Sequence, residues 1–197
     1  STLPEEEKQN VRQDVYFVDP YYLSVGALHP RKNLVRLIEA FEHFKTRTGA
    51  PTKLVLAGPP LFKTKNIFQA RRKIRHKNDV IFAGSVSEEQ LRKLYGGAHA
   101  LMFVSYFEGF GIPALEAMSC DVPVVAGNQT SLPEICGEAA LLVDPFSVEA
   151  ITQAMTSVSL DENLRTRLIE KGRKHITKFS WDKTADLLWE AIERSLP

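Results

Sequence analysis

At 197 residues and 44% hydrophobic composition, the chain can bury one substantial core, and one domain is the expectation. A formal charge of +1 leaves no large field to suggest nucleic-acid binding, and no run approaches the roughly 18 apolar residues of a membrane span. The opening STLPEEEKQ has no signal-peptide core, and Cys120 and Cys136 show no CxxC or metal-like spacing, so reduced thiols and a cytoplasmic setting are expected.

Residues 1–20 are mostly polar, punctuated by Pro4 and Pro20, with one apolar run (VYFV, 15–18); they read as a connector or edge segment leading into a domain over 21–197. The run YYLSV (21–25), closed by Gly26, predicts a strand. After it, Leu28-His29-Pro30-Arg31-Lys32-Asn33 forms a loop, and Asn33 is placed to cap a helix over 34–48 whose Leu34, Leu37, Ile38, Phe41 and Phe44 recur at helical spacing. The unit repeats with KLVLA (53–57), Gly58-Pro59-Pro60, a basic helix over 64–76, and VIFA (80–83) closed by Gly84. Ser87 and Gln90 have capping-box spacing, opening a helix with Leu91, Leu94 and Tyr95 as its apolar stripe. The continuous run ALMFV (100–104) suits a strand buried on both faces.

Further on, VPVVA (122–126), with Pro123 in the first residues of a strand, precedes a helical turn over 132–136 and a last strand, LLV (141–143). Helices are expected over 148–158, 162–179 and 181–196, the last with a stripe of Leu187, Leu188, Ile192 and Leu196. Trp181 and Trp189 read first as packing in this core, with contact to another domain as the alternative. Strands alternating with helices predict an α/β fold: a doubly wound, Rossmann-like parallel sheet of about six strands flanked by helices, with ligands at the carboxyl ends of the strands. Gly26, Gly58 and Gly84 gather at that rim.

The chemistry concentrates in SYFEGFGIPALEAMSC (105–120), where a strand hands over to a helix carrying Pro113 in its first turn. Gly109 and Gly111 permit unusual backbone and close ligand approach, and the unpaired amides of Gly111, Ile112 and Ala114 open a helix whose dipole favours an anion such as phosphate. Glu108 and Glu116 frame the turn. Carboxylates repel a bare diphosphate, so their task is to accept hydrogen bonds from neutral hydroxyls on either side of it. Taken singly, Glu116 is a favourable charge near a helix N-terminus and Glu108 a solvated loop residue. Arg31 and Lys32 can stabilise the charge left on a diphosphate, a contribution of about 2.7–4 kcal/mol by analogy with oxyanion donors. His29 is read first as a loop residue and only second as a phosphate or sugar contact. The sequence holds no HExxH, DxD or clustered Cys/His pattern, and divalent metal is expected to be dispensable.

The string EGFGIPALEAM resembles the E-x7-E signature of the retaining glycosyltransferases of family four, which have the two-domain GT-B fold. VGALHPRKNL resembles that family's phosphate-binding segment, and LVLAGP (54–59), FAGSVS (82–87) and NQTSLPEI (128–135) match as well, so the likeness runs from about residue 22 to residue 181. The resemblance implies a C-terminal, donor-binding domain. It implies that Glu108 contacts the transferred sugar, Glu116 the nucleotide ribose, and the backbone of Gly109, Phe110, Gly111 and Ile112 the sugar and diphosphate. By the same resemblance Arg31 and Lys32 face the diphosphate, Val86 meets the base through its backbone, and the loop after Gly58 helps close the base pocket. The family's usual arginine after the first glycine is Ala27 here, and its usual glycine after the central helix is Asp121.

The PRKN form of the cationic loop leans toward a GDP-mannose donor, with UDP-glucose second. An N-terminal acceptor domain, absent from these residues, is the expected partner, and it would carry any peripheral membrane contact. Two other readings share the architecture: a nucleotide-sugar epimerase or phosphorylase, and a non-catalytic nucleotide-binding module.

Overall fold

The apolar runs become strands, and the four central ones, 21–25, 53–57, 100–103 and 124–127, are buried on both faces, whereas the edge runs 80–84 and 140–143 are only partly buried. The computed structural model describes residues 19–195, and in it Tyr21–Val25 (β1), Lys53–Ala57 (β2), Val80–Gly84 (β3), Ala100–Phe103 (β4), Val124–Gly127 (β5) and Ala140–Val143 (β6) form one sheet in the order β3-β2-β1-β4-β5-β6. Every pairing is parallel. In β4, Leu101 and Met102 are both wholly buried, yet they belong to hydrophobic clusters on opposite faces of the sheet. This explains why the strand reads as a continuous run rather than an alternation. The connector assigned to 1–20, with its VYFV run, lies outside the described residues except for Asp19 and Pro20.

Helices cover both faces. Leu34–Thr48 (α1), Lys65–Lys73 (α2) and Val148–Leu160 contribute to one cluster. Glu88–Gly97 (α3), Ile112–Ser119 (α4) and Leu132–Cys136 (α5) contribute to the other. Val148–Leu160 is α6, and Glu162–Ile176 (α7) packs against α4, with the Gly172 position close against Met118. Neighbouring tyrosines in β1 fasten the two layers: Tyr21 donates its hydroxyl to Leu94 O at 2.7 Å on one face, and Tyr22 donates to Met155 O at 2.7 Å on the other.

Element boundaries follow backbone chemistry. The predicted capping box is present, with Gln90 N donating to Ser87 Oγ at 3.2 Å and Ser87 N to Gln90 Oε1 at 2.9 Å. The basic helix expected to reach residue 76 stops at Lys73, because Ile74 is extended and a 3-10 turn, Lys77–Asp79, follows. Pro123 precedes β5 and gives the sheet only its carbonyl, which accepts from Leu101 N at 2.9 Å.

Trp181–Ser195 (α8) departs from the simplest expectation. None of its residues is buried, and Trp181 and Trp189 are 80% and 62% exposed, so neither tryptophan packs in this core. The apolar stripe of Leu187, Leu188 and Ile192 is present but faces solvent.

The crossovers place β1 and β4 side by side at the centre, with the chain leaving β1 toward β2 and β4 toward β5. The loops after these two strands therefore diverge and open a crevice at the carboxyl rim. Backbone bonds carry the sheet a little way into that rim: Gly26 N donates to Ala57 O at 2.9 Å, Leu28 N to Pro59 O at 2.8 Å and Gly58 N to Gly84 O at 2.8 Å. A Cβ at Gly58 would stand 2.1 Å from Gly26 O, so only glycine fits there.

Candidate functional site

The first wall of the crevice is the loop after β1. Pro30–Lys32 forms a 3-10 turn opened by His29, whose Nδ1 accepts from Arg31 N at 3.1 Å; its ring stacks on Phe62 at 5.8 Å. His29 is thus a turn-forming residue. Asn33 was expected to cap α1 through its side chain, but it sits at φ 58° and makes no such bond. Its amide Nδ2 instead donates to Val104 O at 3.1 Å and Pro145 O at 2.6 Å, tying the loop to the ends of β4 and β6. A buried amide with two carbonyls in reach satisfies more polar groups as a tie than as a cap.

The second wall is the loop after β4, and Glu108 joins it to the first. Its Oε1 accepts from Lys32 Nζ at 2.7 Å and its Oε2 from Arg31 Nη1 at 2.6 Å. Arg31 also donates to Phe107 O at 3.2 Å, while Tyr106 N donates to Arg31 O at 3.1 Å. The expectation of a solvated loop carboxylate fails, since Glu108 is buried. Burial works to raise its pKa, but hydrogen bonds from Lys32, Ser105 and Arg31 outweigh that and hold it below the ordinary range. For Lys32 burial prevails over the attraction of Glu108, and with Arg31 adjacent its pKa is lowered. Gly26, at φ 129°, makes room for this ammonium, because a Cβ there would lie 2.8 Å from Lys32 Cε.

Two residues not singled out from sequence hold Glu108 in place. Thr130 Oγ1 accepts from Glu108 N at 3.0 Å, and Ser131 Oγ donates to Glu108 O and Phe110 O, each at 2.9 Å. Both lie in the NQTSLPEI string, whose hydroxyls were the available signal.

The helix terminus is sparer than expected. Gly111 takes φ 119°, and a Cβ there would meet Leu132 Cδ2 at 2.9 Å, so its identity is required by the backbone and by packing. Gly109 has no such demand: its φ is ordinary and an added Cβ would meet nothing within 4 Å. Its openness leaves space for a ligand. Of the three amides expected to be unpaired, that of Ala114 bonds Gly111 O at 2.9 Å, leaving Gly111 and Ile112 facing the crevice end of the helix. Phe110 and Ile112 are exposed on the same turn.

Glu116 does not join the Arg31–Lys32–Glu108 cluster. Its Oε2 accepts from Tyr95 Oη at 2.8 Å, across α3 and α4. Burial, then the Glu116 charge and hydrogen bond, raise the Tyr95 pKa and keep the phenol protonated. Tyr95 was read only as part of an apolar stripe; a hydroxylated ring among leucines was its signal. Val86 is half-buried two residues past Gly84, at the same rim as Gly58.

The site therefore offers a carboxylate neutralised by two cations, a helix terminus with amides available, and a second carboxylate already accepting from a neutral hydroxyl. Among the described residues, no group of three or more His, Cys, Asp or Glu is arranged to hold a metal. Both cysteines are free thiols, and burial pushes that of Cys136 up to about 11.

Comparison with known proteins identifies the family and the fold. The profile described as Glycosyl transferases group 1 matches residues 6–175. The chain belongs to that family. The O-antigen chain mannosyltransferase B of Escherichia coli is 35% identical to this group 1 glycosyl transferase over 162 residues, spanning 82% of this chain and 42% of that protein. Among solved structures, the C-terminal domain of the group 1 family protein LpcC from Francisella tularensis aligns with a TM-score of 0.76 at 24% identity, over 89% of this chain and 93% of that one. HepE of Anabaena, solved with UDP and glucose, aligns with a TM-score of 0.85 at 19% identity, over 99% of this chain and 54% of that one. This group 1 glycosyl transferase chain has the architecture of one half of a GT-B fold, and it spans less than half the length of the mannosyltransferase it matches.

Proposed function

We propose that this chain is the donor-binding half of a retaining glycosyltransferase of family four, taking a hexosyl group from a nucleoside diphosphate sugar and passing it to an acceptor hydroxyl. The observation that carries this reading is the convergence of Arg31 and Lys32 on Glu108 at the mouth of the crevice. Without ligand, Glu108 balances both cations. A diphosphate seated at the Gly111 and Ile112 amides competes for them, and Glu108 is released to accept hydrogen bonds from sugar hydroxyls. As the bond from sugar to phosphate breaks, negative charge grows on the diphosphate, and the cations and helix terminus stabilise that charge more than the ground state. Glu116 accepts from the ribose, and Val86 and the loop after Gly58 border the base.

The charge is carried by Arg31, Lys32 and the helix terminus, so transfer proceeds without divalent metal. The PRKN loop and the mannosyltransferase relative support GDP-mannose as donor, with UDP-glucose second. Acceptor binding belongs to a further domain of the complete enzyme, and the bare apolar stripe of α8 is the surface offered to it. The enzyme works in the cytoplasm, with membrane contact made mostly by that other domain; no helix among the described residues is long and apolar enough to cross a membrane.

The test is transfer by the complete enzyme containing this chain, with GDP-mannose and UDP-glucose offered in turn and the anomeric configuration of the product read by NMR. Retention, unaffected by EDTA, is expected. An inverted product, or activity abolished by EDTA, overturns the reading.

A further inference from the structure

The Pro30–Lys32 turn also borders a cleft that shares with the donor reading only the loop after Gly58, through Lys63. It measures about 350 Å³ and is walled by Arg36, Lys63, Asn66 and Tyr106 around the first residues of α1, Leu34 and Val35. Gly26, Arg31, Lys32 and Glu108 take no part in it. We infer that this cleft is a second anion site, which takes a phosphate monoester distinct from the donor's diphosphate.

Four observations converge on that class of ligand. Arg36 lies on α1 and Lys63 on the loop before α2, and among the described residues neither has a carboxylate partner: Arg36 donates to Asn33 Oδ1 at 3.2 Å and lies over the Phe146 ring, and Lys63 lies over the Phe62 ring. Asn66 and Tyr106 add an amide and a phenol that can donate, so the wall is rich in donors, as the several lone pairs of a tetrahedral oxyanion require. Asn33 has turned away to Val104 and Pro145, so the first turn of α1 has no side-chain cap over the amides beside the cleft. Lys63 is held at φ 50°, a backbone conformation that a lysine rarely adopts and that recurs where side chains clamp ligands.

The surrounding field points the same way. Between residues 61 and 78 there are seven lysines and arginines and no acidic residue, in a chain whose net charge is +1. A run of cations is usually a solvated face. Here its N-terminal end opens into a cavity large enough for a phosphate together with the group it esterifies. The phosphate can belong to a soluble phosphorylated sugar or to a lipid headgroup. Its assignment to the acceptor side rests on the donor reading above; the site itself does not.

The test is a thermal-shift titration with glycerol 1-phosphate, against sodium chloride at equal ionic strength. It is run on the wild-type chain, on Lys63→Asn, which removes the charge yet tolerates the left-handed backbone, and on Arg36→Gln and Lys32→Ala. Stabilisation is expected in the wild type and in Lys32→Ala, with the apparent Kd raised about tenfold or more in Lys63→Asn and Arg36→Gln. No stabilisation of the wild type, or stabilisation lost in Lys32→Ala and kept in the cleft variants, overturns the inference. GDP and UDP run in parallel give the opposite pattern, lost in Lys32→Ala and kept in Arg36→Gln, which lies outside the loop assigned to the base; their failure to bind would sink the donor reading and leave the phosphate result standing. Co-sedimentation with phosphatidylcholine vesicles, with and without phosphatidic acid, then names the source. Binding that depends on phosphatidic acid and Lys63 supports the site with a lipid ligand, and glycerol phosphate binding without it supports the site with a soluble one.

Discussion

Lys32 Nζ and Glu108 Oε1 lie 2.7 Å apart with both side chains more than nine-tenths buried, and the pair joins the loop after β1 to the loop after β4. Removing one member of a buried pair costs about 3–5 kcal/mol, because the other charge is left uncompensated. The two members are not equivalent here. Without Lys32, Glu108 keeps Arg31 at 2.6 Å; without Glu108, the Lys32 ammonium stays buried beside Arg31 with the Phe103 ring 4.7 Å away. Glu108→Gln is therefore expected to destabilise by about 3 kcal/mol and Lys32→Met by about half that, measured by urea unfolding.

The same carboxylate sets a pH dependence. Its folded pKa lies below the ordinary 4.5, so as pH falls the unfolded chain takes up the proton first. Its contribution is complete above pH 4.5 and is lost as pH falls through the folded value. The gap in melting temperature between wild type and Glu108→Gln should narrow as pH falls below about 4.5. A gap that stays constant would show that Glu108 is not held in its charged form.

Asp121 stands at φ 57°, where the resembled family usually has glycine, and its carboxylate is gripped by Arg173, with Nε donating to Oδ1 at 2.7 Å. The ion pair anchors α7 and offsets the cost of the left-handed backbone. Asp121→Ala loses the pair and keeps the backbone cost, an expected loss of about 1–2 kcal/mol. Asp121→Gly loses the pair but relieves the backbone, and should fall within about 0.5 kcal/mol of wild type. Chemical denaturation ranks the two.

Much of this was legible beforehand. The six strands announced themselves as apolar runs, the first three closed by Gly26, Gly58 and Gly84, because burial of the central strands on both faces leaves no alternation to misread, and the Ser87 capping box depends only on residues three apart. Arg31, Lys32 and Glu108 stand out in the sequence and come together in the structure, but their direct bonding is not legible there, since it depends on β1 and β4 being neighbours. Asn33, Tyr95 and Thr130 have their partners 71, 21 and 22 residues away, and local spacing carries no record of such ties. The tryptophans of α8 were misplaced for a related reason: an amphipathic stripe says that a face is to be covered, but not by what.

On the proposed function, in which Glu116 accepts from the ribose, Tyr95 acts through Glu116. Its hydroxyl fixes the carboxylate, so Tyr95→Phe should leave the fold intact and weaken nucleoside diphosphate binding by up to about tenfold, the worth of one hydrogen bond. Calorimetric titration of Tyr95→Phe beside Glu116→Ala checks this. An unchanged Kd in Tyr95→Phe, with a large loss in Glu116→Ala, would show that Glu116 needs no orienting partner.

Binding of a nucleoside diphosphate at this rim through Lys32 and Glu116 is read by a thermal-shift titration of the chain with GDP, UDP and ADP and their sugar conjugates. A ligand at about 100 times its Kd adds about 2.7 kcal/mol, a shift of roughly 5–10 °C for a domain of this size. Such a shift is expected with one base family, lost in both Lys32→Ala and Glu116→Ala. A folded chain that shows no shift with any of them, or a shift that survives both substitutions, would contradict it.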